Sequence, residues 1–286
     1  MPITFSNVFY TYNPKTPLEN AALNGVDLTI EDGSFTAIVG RTGSGKSTMV
    51  QMINALLSPS QGEVVVNEFI NAADKKKRTK KLYKVRGQVG LVFQFPEYQL
   101  FADTVEKDVA FAPKNFGLKE EEALEEAHKA LREVGLDESF DKRSPFELSG
   151  GEKRRVAIAG ILAFHPNILV VDEPTAGLDP RGAFQMMELF EKVHKAGTTV
   201  ILVTHDMNIV LRYADRVLVV DNGKIVRSSD PETLFFEDIE KYSLETPLLY
   251  SFVKGLSKRG FPLDPGKIHD VDSLAAEIAA KKGDKR

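Results

Sequence analysis

Cysteine is absent from the 286 residues, so the chain carries no disulfide framework and no thiolate metal site. No apolar run reaches the roughly 18 residues that a bilayer-spanning helix needs, so any action at a membrane goes through a partner. A basic surplus is missing too. With 37 Lys and Arg against 41 Asp and Glu, the formal net charge is -4, and no global positive field draws the chain to nucleic acid. The amino terminus, Met-Pro-Ile-Thr-Phe-Ser, lacks the basic and apolar regions of a secretory signal. What remains is a soluble, intracellular composition, 42% hydrophobic and 27% charged, long enough for one large or two small domains with a sizeable core.

Alternation dominates the first 35 residues. Val26-Asp27-Leu28-Thr29-Ile30 reads as part of an antiparallel pair, with a turn at Glu31-Asp32-Gly33. The apolar run Phe35 to Val39 feeds directly into glycines, and Lys46 to Leu57 reads as a helix stopped at Ser58-Pro59. A polar stretch from Asn71 to Arg86 precedes a second apolar strand, Val89 to Phe93. Between Lys119 and Val134, Ala123, Leu124, Ala127, Ala130, Leu131 and Val134 recur at helical spacing; three glutamates open that helix and Gly135 closes it. Strands at Ile168 to Val171 and Thr199 to Val203 flank a helix near Arg181 to Lys195, and a strand pair follows around Arg216 to Val226. Strands alternating with helices predict an α/β fold, a parallel sheet covered on both faces. Composition shifts after Val226, which divides the chain into a main domain, 1–226, and an extension, 227–286. The extension reads as two or three helical pieces broken by Pro247, Pro262 and Pro265, ending in a charged, frayed tail.

Two segments carry chemistry at the strand ends. Gly40-Arg41-Thr42-Gly43-Ser44-Gly45-Lys46-Ser47 fits G-x-x-x-x-G-K-[ST], in which glycines turn successive N–H groups toward an anion and the next helix adds its positive end. Lys46 then reaches the β- and γ-phosphates, and Ser47 offers its hydroxyl to Mg²⁺. Further along, the buried strand Ile168 to Val171 delivers Asp172 and Glu173 at its carboxyl end, where open α/β sheets bind ligands. Alone, such a pair serves equally as a loop or a helix cap. Downstream of a phosphate loop it reads as a metal site, with Asp172 holding Mg²⁺ through water and Glu173 polarising the attacking water.

Leu148-Ser149-Gly150-Gly151-Glu152, together with that phosphate loop, resembles the ATP-binding cassette family. The resemblance implies a P-loop nucleotide-binding domain with a parallel sheet core, an N-terminal antiparallel β subdomain and an α-helical subdomain, plus a small C-terminal helical extension. It implies ATP and Mg²⁺ as ligands and two ATPase chains clamping each ATP between them. Position by position, it makes Tyr12 the aromatic that stacks on adenine, with core packing as the alternative. Gly40 to Ser47 and Thr48 become nucleotide contacts, Gln94 the sensor of γ-phosphate and Mg²⁺, and His205 the switch histidine. Ala176-Gly177-Leu178-Asp179 matches the loop that crosses the dimer interface, and Ser149, Gly150 and Gly151 hold the γ-phosphate of the partner's ATP.

A narrower likeness is carried by Gln94-Phe-Pro-Glu-Tyr-Gln-Leu-Phe101, by Asp108 to Asn115, and by Leu148 through Pro180 with Arg154-Arg155-Val-Ala-Ile-Ala-Gly160. These resemble ATPases of energy-coupling factor transporters, most of all the second ATPase of a nonidentical pair. Glu152 departs from a frequent Gln, and Ala112 from a frequent Gly. The likeness implies a translocase subunit on the cytoplasmic face of the cell membrane, powering uptake of vitamins or other micronutrients. Its partners would be a related ATPase, a separate substrate-binding membrane subunit, and a transmembrane coupling subunit docking near Phe95, Glu97, Tyr98 and Phe101, with Glu97 a lone surface acid. In that family the extension joins the two ATPases, and here Leu248, Leu249, Phe252 and Leu256 fall at helical spacing. The alternatives are a homodimeric cobalt or nickel importer ATPase and a soluble cassette ATPase. The basic stretch Lys75 to Arg86 reads as a solvated face, with contact to anionic headgroups as its alternative.

Overall fold

A computed structural model describes residues 2–268 and 270–283. The chain opens with β1 (Ile3–Tyr12) and β2 (Asn20–Ile30), paired antiparallel as the alternation predicts, and continues into β3 (Phe35–Val39), buried at every position. After α1 (Lys46–Ile53), β4 (Gln61–Val66) and β5 (Phe69–Ala72) complete a four-stranded antiparallel sheet in the order β2-β1-β4-β5. These two strands go beyond the elements the sequence pattern predicts, although Val64-Val65-Val66 is a β-branched apolar run. Gly62 explains part of the difficulty: a Cβ there would lie 2.2 Å from the Asn7 carbonyl oxygen, so β4 joins β1 through a close backbone approach at an irregularity of β1.

The helix after the phosphate loop is also shorter than its pattern, ending at Ile53 instead of Leu57. Its continuation is intercepted by a distant residue. Ala55 turns left-handed at φ 56, the Leu56 and Leu57 amides both donate to Gln51 O, and Asn71 from β5 donates its Nδ2 to Met52 O and Leu57 O.

The second sheet adds β6 (Val89–Val92), and the chain then forms α2 (Val105–Val109), α3 (Phe111–Asn115), α4 (Glu120–Glu133) and α5 (Gly150–Leu162). β7 (Ile168–Asp172), α6 (Pro180–Lys195), β8 (Thr199–Val203), α7 (Met207–Tyr213), β9 (Arg216–Asp221) and β10 (Lys224–Ser229) follow. The strand order is β10-β9-β3-β8-β7-β6, parallel except for the β9–β10 hairpin. One core, containing Phe35, Leu131, Ile158 and Phe190, joins one face of this sheet to the helices. A second, with Phe5, Ile38, Met49 and Val170, lies between the two sheets around α1. Such double coverage is why β3, β7 and β8 read as mostly apolar runs.

The extension forms α8 (Pro231–Phe236), α9 (Leu248–Lys258) and α10 (Val271–Gly283). Phe235 and Tyr250 from it pack on Val39, Val217 and Val219 of the sheet, while β10 runs on to Ser229. The tail expected beyond α10 falls on 284–286, outside the described residues.

Candidate functional site

The carboxyl ends of β3, β7 and β8 converge, and this is where the sequence placed its chemistry. Two glycines of the loop after β3 are irreplaceable on steric grounds. Gly40, at φ 143, would place a Cβ 2.1 Å from Val220 O, and Gly45, at φ 109, would place one 2.5 Å from Ala22 O. The loop is therefore pressed against β9 on one side and β2 on the other, and Lys46 begins α1 directly behind it.

Lys46 Nζ donates to Gly40 O at 2.7 Å and Arg41 O at 2.8 Å, so the ammonium is folded over the loop's own carbonyls. Burial lowers its pKa, against the opposing pull of Glu173 and Asp172. Ser47 Oγ donates to Asp172 Oδ2 at 3.2 Å. Burial raises the Asp172 carboxyl and Glu173 adds to the rise, against the hydrogen bond from Ser47 and the charge of Lys46. A cavity of about 340 Å³ gathers Tyr12, Lys46, Ser47, Gln94, Asp172 and Glu173. Tyr12 Oη and Thr48 Oγ1 lie 3.1 Å apart, which fixes the phenol over the first turn of α1. Asn20 and Ala22 also line the cavity; they belong to no motif, and only the sheet brings them there.

Glu173 has a left-handed backbone at φ 50, and its amide donates to Val203 O of β8. A non-glycine residue held there is strained, and such strain concentrates at functional sites. Its Oε1 lies 2.9 Å from His205 Nδ1, and this hydrogen bond, more than any other cause, raises the imidazole pKa. The pair joins the end of β7 to the residue two places beyond β8.

Ser149, Gly150 and Gly151 stand elsewhere. Ser149 caps α5 in a reciprocal box: the Glu152 amide donates to Ser149 Oγ, while Glu152 Oε2 accepts from Ser149 N at 2.8 Å and Ser149 Oγ at 2.7 Å. The serine hydroxyl's hydrogen bond is the main cause holding the Glu152 carboxyl below its ordinary range. Gly151 and Asp179, which caps α6 through Gly182 N, line a different cavity of about 630 Å³ that contains no phosphate-loop residue. Gly151 and the Lys46 loop thus line two different cavities of one chain.

The profile of the ABC transporter family matches residues 23–176, a span that runs from β2 through the phosphate loop and signature segment to Ala176. The chain belongs to the ATP-binding cassette family. Within it, the chain is 49% identical to the energy-coupling factor transporter ATP-binding protein EcfA2 of Enterococcus faecalis, over 98% of this chain and 97% of the relative. Among solved structures, CbiO1 of Clostridium perfringens, described as part of the ABC transporter complex CbiONQ, superposes with a TM-score of 0.72 at 36% identity, covering 88% of this chain and 98% of the other. The dimeric cassette MJ0796, in a post-hydrolysis state bound to ADP and Pi, gives 0.71 at 33% identity, covering 80% and 98%. The chain is an ATP-binding and ATP-hydrolysing subunit of the energy-coupling factor group.

The cassette's segment after Gln94 departs from the sequence expectation. Phe95, Tyr98 and Phe101 are 44%, 85% and 56% exposed, but Leu100 is buried and Glu97 is no lone surface acid. Its carboxylate accepts from Arg154 Nη2 at 3.0 Å and Nε at 3.2 Å, and the two side chains are 16% and 5% exposed. The role of Arg154 went unread, although one signal was available. Arg154, Ile158 and Leu162 recur every four residues on α5 and all are buried, and a basic residue on an apolar stripe requires a buried partner.

No helix among the described residues is long and apolar enough to cross a membrane. In the basic stretch, Arg78 is turned inward onto Ala72 O while Lys75, Lys76 and Lys77 stay exposed.

Proposed function

We propose that the chain pairs with a second, related ATPase, each supplying Ser149, Gly150 and Gly151 to the ATP held on the other's Lys46 loop. That the phosphate loop and Gly151 line different cavities of one chain supports this most directly. In the reaction, Lys46 leaves the loop carbonyls for the β- and γ-phosphates, Glu173 takes a proton from the attacking water, and His205 and Gln94 meet the γ-phosphate. Hard oxygen donors suit Mg²⁺, and the buried, upshifted Asp172 next to the Ser47 hydroxyl fits such an ion; Ser47, Gln94 and Asp172 would hold it. Such an ion would neutralise phosphate charge.

ATP closes the pair and hydrolysis opens it. The exposed Phe95, Tyr98 and Phe101 pass that movement to a coupling helix of a transmembrane subunit, and a separate membrane protein captures the vitamin or other micronutrient. In the extension, Leu248 and Phe252 of α9, 77% and 54% exposed, form the apolar face that joins the two ATPases. The protein is then peripheral, on the cytoplasmic face of the membrane. Affinity purification of the tagged chain from detergent-solubilised membranes should bring down one related ATPase and integral membrane subunits. A chain recovered alone, hydrolysing ATP fully as a monomer, would end this reading.

Tyr12→Ala should weaken ATP binding by about 1 to 3 kcal/mol, with GTP affected alike, because stacking does not read base edges. Tyr12→Phe, which loses only the contact with Thr48, should bind nearly normally. Calorimetric titration of both variants decides; full affinity in Tyr12→Ala would make the ring a packing element.

A further inference from the structure

Arg154 touches more of the machinery than any motif assigns to it. Its Nε and Nη2 hold Glu97 in the exposed aromatic segment, and its Cζ sits 5.9 Å from the Phe95 ring centroid. On the other side, Nη1 donates to Ala176 O at 2.7 Å, with Pro174 O farther off at 3.5 Å. Ala176 is tied back to Glu173, since its amide donates to Glu173 O at 3.1 Å. The residue itself stands on α5, five positions after the Ser149 cap. One buried guanidinium therefore connects the segment behind Gln94, the turn that leaves Glu173, and the helix that presents the signature serine. Only a planar fork can serve a carboxylate and a carbonyl on opposite edges at once; an ammonium offers a single point.

We infer that Arg154 is a positioning residue, which sets the Pro174–Ala176 turn, and with it Glu173, according to how a partner helix seats against Phe95 and Tyr98. This rests on the transport reading above. It requires hydrolysis to be faster in the assembled complex than in the free subunit, and the increment to depend on the Glu97–Arg154–Ala176 connection.

The test uses the full chain purified with its membrane partners. In Arg154→Lys, kcat per intact complex should fall about 10-fold, a loss typical of a broken coupling contact, while KM for ATP and the yield of complex are retained. Glu97→Gln, which keeps the helix packing and one acceptor for the guanidinium, should lower kcat in the same direction and serves if Arg154→Lys does not fold. A purely structural role would lower melting temperature and complex yield but leave kcat per intact complex at the wild-type value, and that result overturns the inference. Wild-type hydrolysis that does not respond to the membrane partners overturns the transport reading as well, which separates the two failures.

Discussion

Glu173→Gln is expected to leave ATP binding intact while slowing turnover by about 10² to 10⁴, the usual contribution of a positioned general base. The amide keeps the size of the side chain and can still meet His205 Nδ1, so the φ 50 backbone and the bond from Glu173 N to Val203 O should persist. What disappears is the basic oxygen. Binding energy still closes the pair of ATPases, and with hydrolysis blocked the closed dimer should accumulate with ATP, visible by size-exclusion chromatography and single-turnover kinetics. The imidazole supplies an independent check. Its pKa is raised chiefly by the hydrogen bond and charge of Glu173, so in the variant it should move back toward the ordinary histidine value in an NMR titration. Hydrolysis at the wild-type rate would remove Glu173 from the role of base.

Glu97→Arg should destabilise the isolated chain by about 3 to 5 kcal/mol, the cost of stripping a buried ion pair of one partner, before any question of docking arises. As a lone surface acid, Glu97 would tolerate reversal and lose only its partner helix. The bidentate pairing with Arg154 changes that outcome: the variant sets a second guanidinium against one whose side chain is 5% exposed and leaves both without a carboxylate. Equilibrium denaturation in urea, with the midpoint compared at constant slope, measures the effect. An unchanged midpoint would show that Glu97 is solvated after all. Tyr98→Ala is the cleaner probe of docking, because this side chain is 85% exposed and its loss should weaken complex recovery while the fold stands.

Local chemistry made much of the site legible. Gly40, Gly45, Lys46 and Ser47 occupy fixed offsets because a loop that turns its amides inward around an anion leaves no freedom in spacing, and Asp172 and Glu173 follow an apolar strand that could only be buried. The Lys119 to Val134 helix was legible for the same reason, with its apolar stripe and the left-handed Gly135 that closes it. β4 and β5 were not. Their pairing depends on the closeness of Gly62 to the Asn7 backbone, a contact between segments more than fifty residues apart. The end of α1 is not legible locally, because Asn71, far along the chain, supplies the hydrogen bonds that stop it.

The sequence by itself determined the class of reaction and the family, since these rest on residue types at short, sterically dictated spacing. Tertiary structure alone decided which charges are free and which are spent. Glu97 and Arg154 are 57 positions apart and each looks like surface in isolation; the packing of α5 against the segment after Gln94 buries Arg154, leaves Glu97 half-buried and pairs the two. The same holds for the Lys46 loop and Gly151: both are legible along the chain, but only the folded molecule shows that they line different cavities, the loop between β3 and α1 and Gly151 in the first turn of α5 beside Asp179.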